Sequence, residues 1–312
     1  MTGGRAVPGL RDAGPDAHRA LGAAGPPGAL GEALAALATL DALDAPVYIP
    51  GPDGPWDAVE ERLETTGQAV VCTRWGQWLT SALLDPELRP LLGQDWPRYR
   101  QTPVASGRLR FAVSRFVMKH TAALALGVHA GSLDLGYQLG GRPVLRGLGG
   151  ELEVSLAHTD ELILVGVSRT GPIGVDAEPA DRDISFELLR DQVCTPREGE
   201  ELAALPEDER RARLLRLWTL KEAYTKALGH GLRRRFCAFG FARDGEGRVV
   251  LADLPGGGDA GDEGWDFVTH PLGECYVVSV AHRTLPAPSP EPRSPEPGLP
   301  PSARSARSAR RP

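Results

Sequence analysis

The sequence lacks the features that mark several large protein classes. Only 4 of its 312 residues are cysteine. Cys72, Cys194, Cys237 and Cys275 form no C-x-x-C pair, so neither a zinc site nor a disulfide framework is indicated, and reduced thiols fit best. Long hydrophobic runs are missing too. The Ala/Leu stretch from Leu30 to Leu43, expected to be a helix, contains Glu32 and Asp41 and is too short to span a bilayer. The N-terminus has no basic start followed by an apolar core and a cleavage site. The expectation is a soluble cytoplasmic protein with no membrane segment. Basic charge is not in excess either. A formal net charge of -6 argues against a general nucleic-acid binder, which presents a dominant basic surface.

Both ends are poor in the apolar residues that offset ordering entropy. Residues 1–29 are Gly, Ala and Pro with scattered charge, and residues 285–312 are Pro, Ser and Arg ending in repeated Ser-Ala-Arg. Both are expected to be disordered, the basic tail as a solvated end.

The remainder reads as α+β. Strands are expected at Val47–Ile49, Val70–Thr73, Leu152–Leu156, Leu162–Val167, Val249–Ala252 and Cys275–Ala281, with Gly140-Gly141-Arg142-Pro143 as a turn between two more. A short helix is expected over Gln77–Leu84. Arg108 to Gly127 has helical periodicity, with Arg110, Ser114, Arg115, Lys119 and His120 on its polar side and Gly127 as its stop. A further helix covers Ser185–Asp191. Thr195-Pro196-Arg197-Glu198 reads as a capping box with proline at the first helical position, opening a helix to Leu205. Arg210 to Leu228 is a long helix ended by Gly229 and Gly231. The order of strands and helices, seen roughly twice, predicts two similar α+β halves, an N-terminal one over 30–170 and a C-terminal one over 171–284.

Two segments carry the chemistry. In Gly174-Val175-Asp176-Ala177-Glu178-Pro179 the carboxylates are two apart on an extended chain, hence on one face. Two like charges that close need a cation. In Leu217-Trp218-Thr219-Leu220-Lys221-Glu222-Ala223-Tyr224-Thr225-Lys226-Ala227, Glu222 and Lys226 are four apart and share a helical face with Trp218. If that face meets the Asp176 strand, the site is three hard carboxylates beside a fixed ammonium, a set that suits Mg2+ completed by phosphate oxygens.

These residues resemble the Sfp-type 4'-phosphopantetheinyl transferases. That family's Gly-aliphatic-Asp-x-Glu followed some forty residues later by Trp-x-x-Lys-Glu-Ala-x-x-Lys is met by Gly174 to Glu178 and Trp218 to Lys226. Either half alone is common on solvated surfaces; the joint occurrence in order is specific. Upstream, Arg110-Phe111 through Arg115 and Lys119 resembles the family's Arg-rich helix, Gly141-Arg142-Pro143 its Gly-Lys-Pro turn, and Ser155-Leu156-Ala157-His158-Thr159 its Asn-aliphatic-Ser-His-Ser segment. The resemblance spans roughly Arg108 to Ala281. Ser155, Ala157, Arg142 and Ala177 depart from the usual Asn, Ser, Lys and larger aliphatic residue.

The resemblance implies a pseudo-twofold pair of α+β subdomains. It also implies a holo-[acyl-carrier-protein] synthase that moves the 4'-phosphopantetheine arm of coenzyme A to a serine of apo acyl or peptidyl carrier proteins. The product released is adenosine 3',5'-bisphosphate, and the carriers are those of polyketide or nonribosomal peptide synthesis. Asp176, Glu178 and Glu222 are then the Mg2+ ligands, with Glu222 the general base and Lys226 the donor to the leaving group. Arg110, Arg115, Lys119, Arg142, His158, Thr159, Lys221 and Lys226 are the coenzyme A contacts. A monomer is implied, with no nucleic acid or membrane partner. A non-catalytic coenzyme A binder on the same scaffold and a magnesium-dependent phosphohydrolase are the alternatives. By residue type alone, His158 reads more readily as structural, Trp218 and Tyr224 as packing, and Arg233-Arg234-Arg235 as a solvated turn.

Overall fold

Alternating apolar residues in the strands bury both faces of two sheets, and this dictates how the layers stack. A computed structural model describes residues 45–86, 88–138, 140–146, 152–229, 234–254 and 264–286. The expected helix at Leu30–Leu43 and nearly all of the two expected disordered ends lie outside the described residues.

In chain order the elements are β1 (Val47–Tyr48), α1 (Asp57–Thr65), β2 (Gln68–Arg74), α2 (Trp75–Leu84), α3 (Leu88–Leu92), α4 (Trp96–Gln101), α5 (Ala105–Leu126), β3 (Leu135–Tyr137), β4 (Pro143–Leu145), β5 (Glu153–Thr159) and β6 (Leu162–Ser168). After them come β7 (Ile173–Pro179), α6 (Phe186–Val193), α7 (Pro196–Ala203), α8 (Glu207–Leu228), β8 (Gly240–Arg243), β9 (Val249–Ala252), β10 (Trp265–Leu272) and β11 (Tyr276–Arg283).

The two halves repeat in topology. Each begins with a strand, β2 or β7, and continues through a 22-residue helix, α5 or α8, that ends on a left-handed glycine, Gly127 (φ 65) or Gly229 (φ 69). A two-stranded hairpin follows, β3–β4 or β8–β9. Two strands then close a sheet in the order first, third, second, antiparallel throughout: β2-β6-β5 and β7-β11-β10, with β1 added in parallel to the first sheet. The pseudo-twofold α+β fold is thus visible in connectivity where the residues themselves show little similarity.

The sheets stack back to back between the long helices. Val71, Ile163, Val165 and Val167 face α5, packing on Val113, Phe116 and Val117. Val70, Cys72, Leu162 and Leu164 face the other sheet and meet Ile173, Val175, Ala177, Val278 and Val280. On the outer face of the second sheet, α8 packs Leu220, Ala223, Tyr224 and Ala227 against Trp265, Phe267 and Ala281. Tyr224 is fully buried there among Phe239, Phe241, Trp265 and Phe267, in accord with a packing role. Trp218 is half-buried and meets Phe236 edge to face.

Gly174 explains why α8 lies so near β7. A Cβ there would stand 1.9 Å from the Ala223 carbonyl oxygen and 2.5 Å from the Ala227 nitrogen. Gly174→Ala should therefore push α8 off the strand and cost about 3 kcal/mol, read as a lowered denaturation midpoint. The capping box at Thr195 forms as expected, its hydroxyl accepting from the Glu198 amide and Glu198 accepting from the Thr195 amide.

The four cysteines are free, with Cys72 and Cys194 buried. Burial pushes the Cys72 thiol well up and the Cys194 thiol to about 11. Alkylation of the native protein at pH 8 should modify Cys237 and Cys275 and spare the other two until denaturant is added, with peptide mass mapping as the readout.

Several boundaries differ from expectation. His158 and Thr159 belong to β5, and the β5–β6 turn is only Asp160-Glu161, where Asp160 takes φ 42. Strands β8 and β10 and helices α1, α3 and α4 were not expected; β10 nonetheless buries Trp265, Phe267 and Leu272. Among the described residues, no helix is long and apolar enough to cross a membrane.

Candidate functional site

Strand β7 alternates Ile173, Val175 and Ala177 into the inter-sheet core, which turns Gly174, Asp176 and Glu178 toward α8. On α8, Glu222 and Lys226 lie one turn apart. The two elements meet where Lys226 Nζ donates to Asp176 Oδ1 at 2.6 Å and to the Val175 carbonyl at 3.3 Å. Asp176 is 6% exposed, and its Oδ2 is buried with no hydrogen-bond partner. An orphaned buried carboxylate oxygen is costly and points to a missing positive group. Glu178 is held by Arg182 on the loop after β7.

Burial and then mutual repulsion raise the acids. Asp176 is pushed up by burial against the pull of Lys226. Glu178 is pushed up by burial and by Asp176. Glu222 rises to about 7, from burial first and the Asp176 charge second. Burial works against the Lys226 charge, but Asp176 and Glu222 outweigh it and hold the ammonium above its ordinary value. Among the described residues, no three His, Cys, Asp or Glu side chains are grouped tightly enough to enclose a metal ion. Two of the three carboxylates are instead engaged by Lys226 and Arg182.

A basic wall faces this acidic one. His158 is open to solvent at the end of β5. The protein crowding its ring, and then the cations of Arg115, Lys226, Arg110 and Arg98, push its pKa down to about 4. Its imidazole should stay neutral from pH 8 to pH 5 and charge only below that range. A flat NMR titration of its ring proton across that range would bear this out, whereas a midpoint near 6.5 would mean that neither the crowding nor the cations act on the ring. The Arg110 Nε and the Arg142 Nε are buried without acceptors, so each keeps donor capacity that an anion can use. Arg142 pairs with Glu153 and lies against Gly229 at the end of α8, joining the halves. Thr159 is half-buried beside Leu162.

Three expected contacts are otherwise engaged. Lys221 was expected to bind coenzyme A, yet it is 0% exposed. Its Nζ donates to Glu198 Oε2 at 2.6 Å and to the carbonyls of Val193 (2.7 Å), Phe236 (3.0 Å) and Phe239 (2.7 Å). It is a structural strut, because helical geometry puts it on the face of α8 opposite the Glu222–Lys226 stripe. Lys119, 1% exposed, donates to the Leu133 carbonyl at 2.6 Å and is likewise internal. Arg115 is 6% exposed. Its Nε reaches the Tyr137 hydroxyl at 3.2 Å and Asp95 Oδ2 at 3.4 Å, and its guanidinium stacks 4.2 Å from the Phe111 ring. The polar side expected for α5 is therefore largely buried. Ser155 Oγ accepts the Val175 amide at 3.0 Å and ties β5 to β7 just before Asp176. Ala157 packs in the inter-sheet core.

Sequence reasoning missed Asp95, Arg98, Tyr137 and Arg182. None stands in a motif, and only the position of Arg182, four residues after Glu178, offered a signal. A hollow lined by Arg74, Trp75, Gly76, Gln77 and Glu161 lies beside the β5–β6 turn and holds none of the expected site residues.

Residues 172–281 match the 4'-phosphopantetheinyl transferase superfamily model, which bears out the resemblance seen in the motifs. The chain is 34% identical over 129 residues to the 4'-phosphopantetheinyl transferase HetI of Nostoc sp., covering 41% of this chain and 54% of that protein. It is 26% identical over 151 residues to a 4'-phosphopantetheinyl transferase of Bacillus subtilis, covering 47% and 64%. The matched region thus spans between half and two thirds of these relatives. Among solved structures, a holo-ACP-synthase from Plasmodium yoelii aligns with 35% of this chain and 91% of its own at 17% identity and a TM-score of 0.27.

Proposed function

We propose that this chain, which shares residues 172–281 with the 4'-phosphopantetheinyl transferase superfamily, transfers 4'-phosphopantetheine from coenzyme A to a serine hydroxyl of apo acyl or peptidyl carrier proteins. The carriers are those of polyketide or nonribosomal peptide synthesis, the by-product is adenosine 3',5'-bisphosphate, and the enzyme is a cytoplasmic monomer of two subdomains, 30–170 and 171–284. The observation that carries this reading is the meeting of β7 and α8, which joins Asp176 to Lys226 at 2.6 Å and leaves Asp176 Oδ2 buried and unpartnered.

The donor set fits a hard divalent cation in kind, with carboxylate oxygens alone and one buried oxygen lacking a partner. Asp176, Glu178 and Glu222 would hold it, and a Mg2+ bound there would supply positive charge against the diphosphate. Glu222 accepts the proton of the carrier serine as the general base. Lys226 donates to the diphosphate oxygens of the leaving group. Arg110 and Arg142 supply the free Nε–H donors, with His158 and Thr159 lining the same wall and Arg115 adding its charge from behind, paired with Asp95. Attack in line by the serine needs mainly positioning and charge stabilisation. Lys119 and Lys221 take no part.

Intact-mass analysis of a panel of apo carriers with coenzyme A, with and without Mg2+, tests the reading. A magnesium-dependent gain of one phosphopantetheinyl group supports it. No gain on any carrier, with coenzyme A still bound, replaces it by a non-catalytic binder.

A further inference from the structure

Arg182 belongs to none of the motifs, yet it touches both elements that carry the acids. The loop after β7 turns back on itself, with the Arg182 amide donating to the Pro179 carbonyl at 3.1 Å. This returns the side chain over the end of the strand. There Nη1 pairs with Glu178 Oε1, and the guanidinium lies 5.4 Å from the ring of Trp218, one helical turn before Glu222 on α8. The Arg182 charge reaches Asp176 and Glu222 as well. Arg182 is 39% exposed in its side chain and Glu178 only 15%, so the arginine lies on the solvent side of the Glu178 carboxylate.

Resting on the transferase reading, we propose that Arg182 is a further substrate-binding residue: Glu178 holds it until a divalent cation takes that carboxylate, and it then grips phosphate oxygens of the bound substrate. A guanidinium keeps its charge at any accessible pH. It cannot yield to a dication by losing a proton, so it must leave the oxygen that the dication takes. Like charges a few ångströms apart repel strongly. The Trp218 face keeps the displaced group at the rim by cation–π attraction. From there its planar fork meets phosphate oxygens in the bidentate geometry that arginine favours. The arginine therefore competes with the metal when substrate is absent and assists the substrate once the metal is present.

These opposed effects define the test on the full-length chain. Mn2+ binding without coenzyme A is followed by the paramagnetic resonance of the free ion for wild type, Arg182→Ala and Arg182→Lys. Coenzyme A binding is then measured by calorimetry at saturating Mn2+. Arg182→Ala should bind Mn2+ about 2–5-fold more tightly, the scale of a partly exposed ion pair removed. It should bind coenzyme A about 10-fold more weakly, the scale of a lost charge-assisted hydrogen bond. Arg182→Lys should fall between on both measures. Unchanged or weaker Mn2+ binding in Arg182→Ala, or unchanged coenzyme A binding, overturns the inference and leaves a surface ion pair. Opposed shifts in a protein that modifies no carrier sustain the inference while the transferase reading falls; intact carrier modification with neither shift does the reverse.

Discussion

Lys221→Met is expected to leave little folded protein, although it removes one of the two lysines of the long-helix motif and keeps most of the side-chain volume. Lys221 is buried at 0% exposure and its ammonium joins Glu198 on α7 with the carbonyls of Val193, Phe236 and Phe239. Removing it strands the 4%-exposed Glu198 without its cation. Breaking one partner of a buried pair costs about 3–5 kcal/mol, a large part of the roughly 5–15 kcal/mol that holds a domain together. Chemical denaturation should show a midpoint shift of that size or a chain that does not refold. The double variant Lys221→Met with Glu198→Gln should recover part of the loss, because a neutral amide needs no cation and keeps an oxygen for the backbone amides of Thr195 or Phe241. A single variant that denatures like wild type but binds coenzyme A poorly would return Lys221 to the binding site.

On the proposed transferase reading, Glu222→Gln should behave in the opposite way, with transfer lost and the fold kept. The substitution preserves volume and removes the proton-accepting oxygen, so kcat for carrier modification should fall about 10²–10⁴-fold. Stability should not suffer. Burial and the Asp176 charge hold the Glu222 pKa in the folded protein above its ordinary value. For an acid raised in this way, the folded state is favoured at low pH and loses that advantage as pH rises toward 7. The ionised side chain is therefore a burden at neutral pH, and the amide relieves it. The melting temperature of Glu222→Gln should equal or exceed that of wild type, the pattern expected where a site keeps like charges together for function. Turnover at the wild-type rate would remove Glu222 from the mechanism.

The two lysines show how far a motif can be read. Lys221 and Lys226 are five apart on one helix and look equivalent in sequence, since both are basic and both flank Glu222. Their difference arises from what packs on either side of α8. One face meets β7 at Gly174, where only a residue without a Cβ lets the helix approach. The other meets α6, α7 and the segment before β8, which supply four acceptors to Lys221. The Asp176–Glu178 pair was legible because a strand has a fixed two-residue period. The Glu222–Lys226 stripe was legible because a helix has a fixed turn. Local geometry alone settles such relations.

The same limit appears in the basic wall. The periodicity of α5 predicted the helix and its glycine stop, but a polar side of Arg110, Ser114, Arg115 and Lys119 does not say what covers it. The hairpin β3–β4 and the residues around Asp95 bury Arg115 and Lys119 and leave the Arg110 Nε unpartnered. Those partners, Asp95, Tyr137 and Leu133, lie 14 to 22 residues away along the chain, beyond any periodic signal.

What the amino-acid order determined by itself is therefore local: the strands with alternating faces, the capped and glycine-stopped helices, the facing of Asp176 with Glu178, and the motif pair that resembles the transferase family's. Tertiary structure alone decided which cations stay free for a ligand and which acid carries an orphaned oxygen, while the twofold repeat was already expected from the order of strands and helices. The physical reason is that desolvation and pairing depend on groups brought together across layers. A lysine in water and a lysine locked to a buried glutamate have the same letter and opposite chemistry.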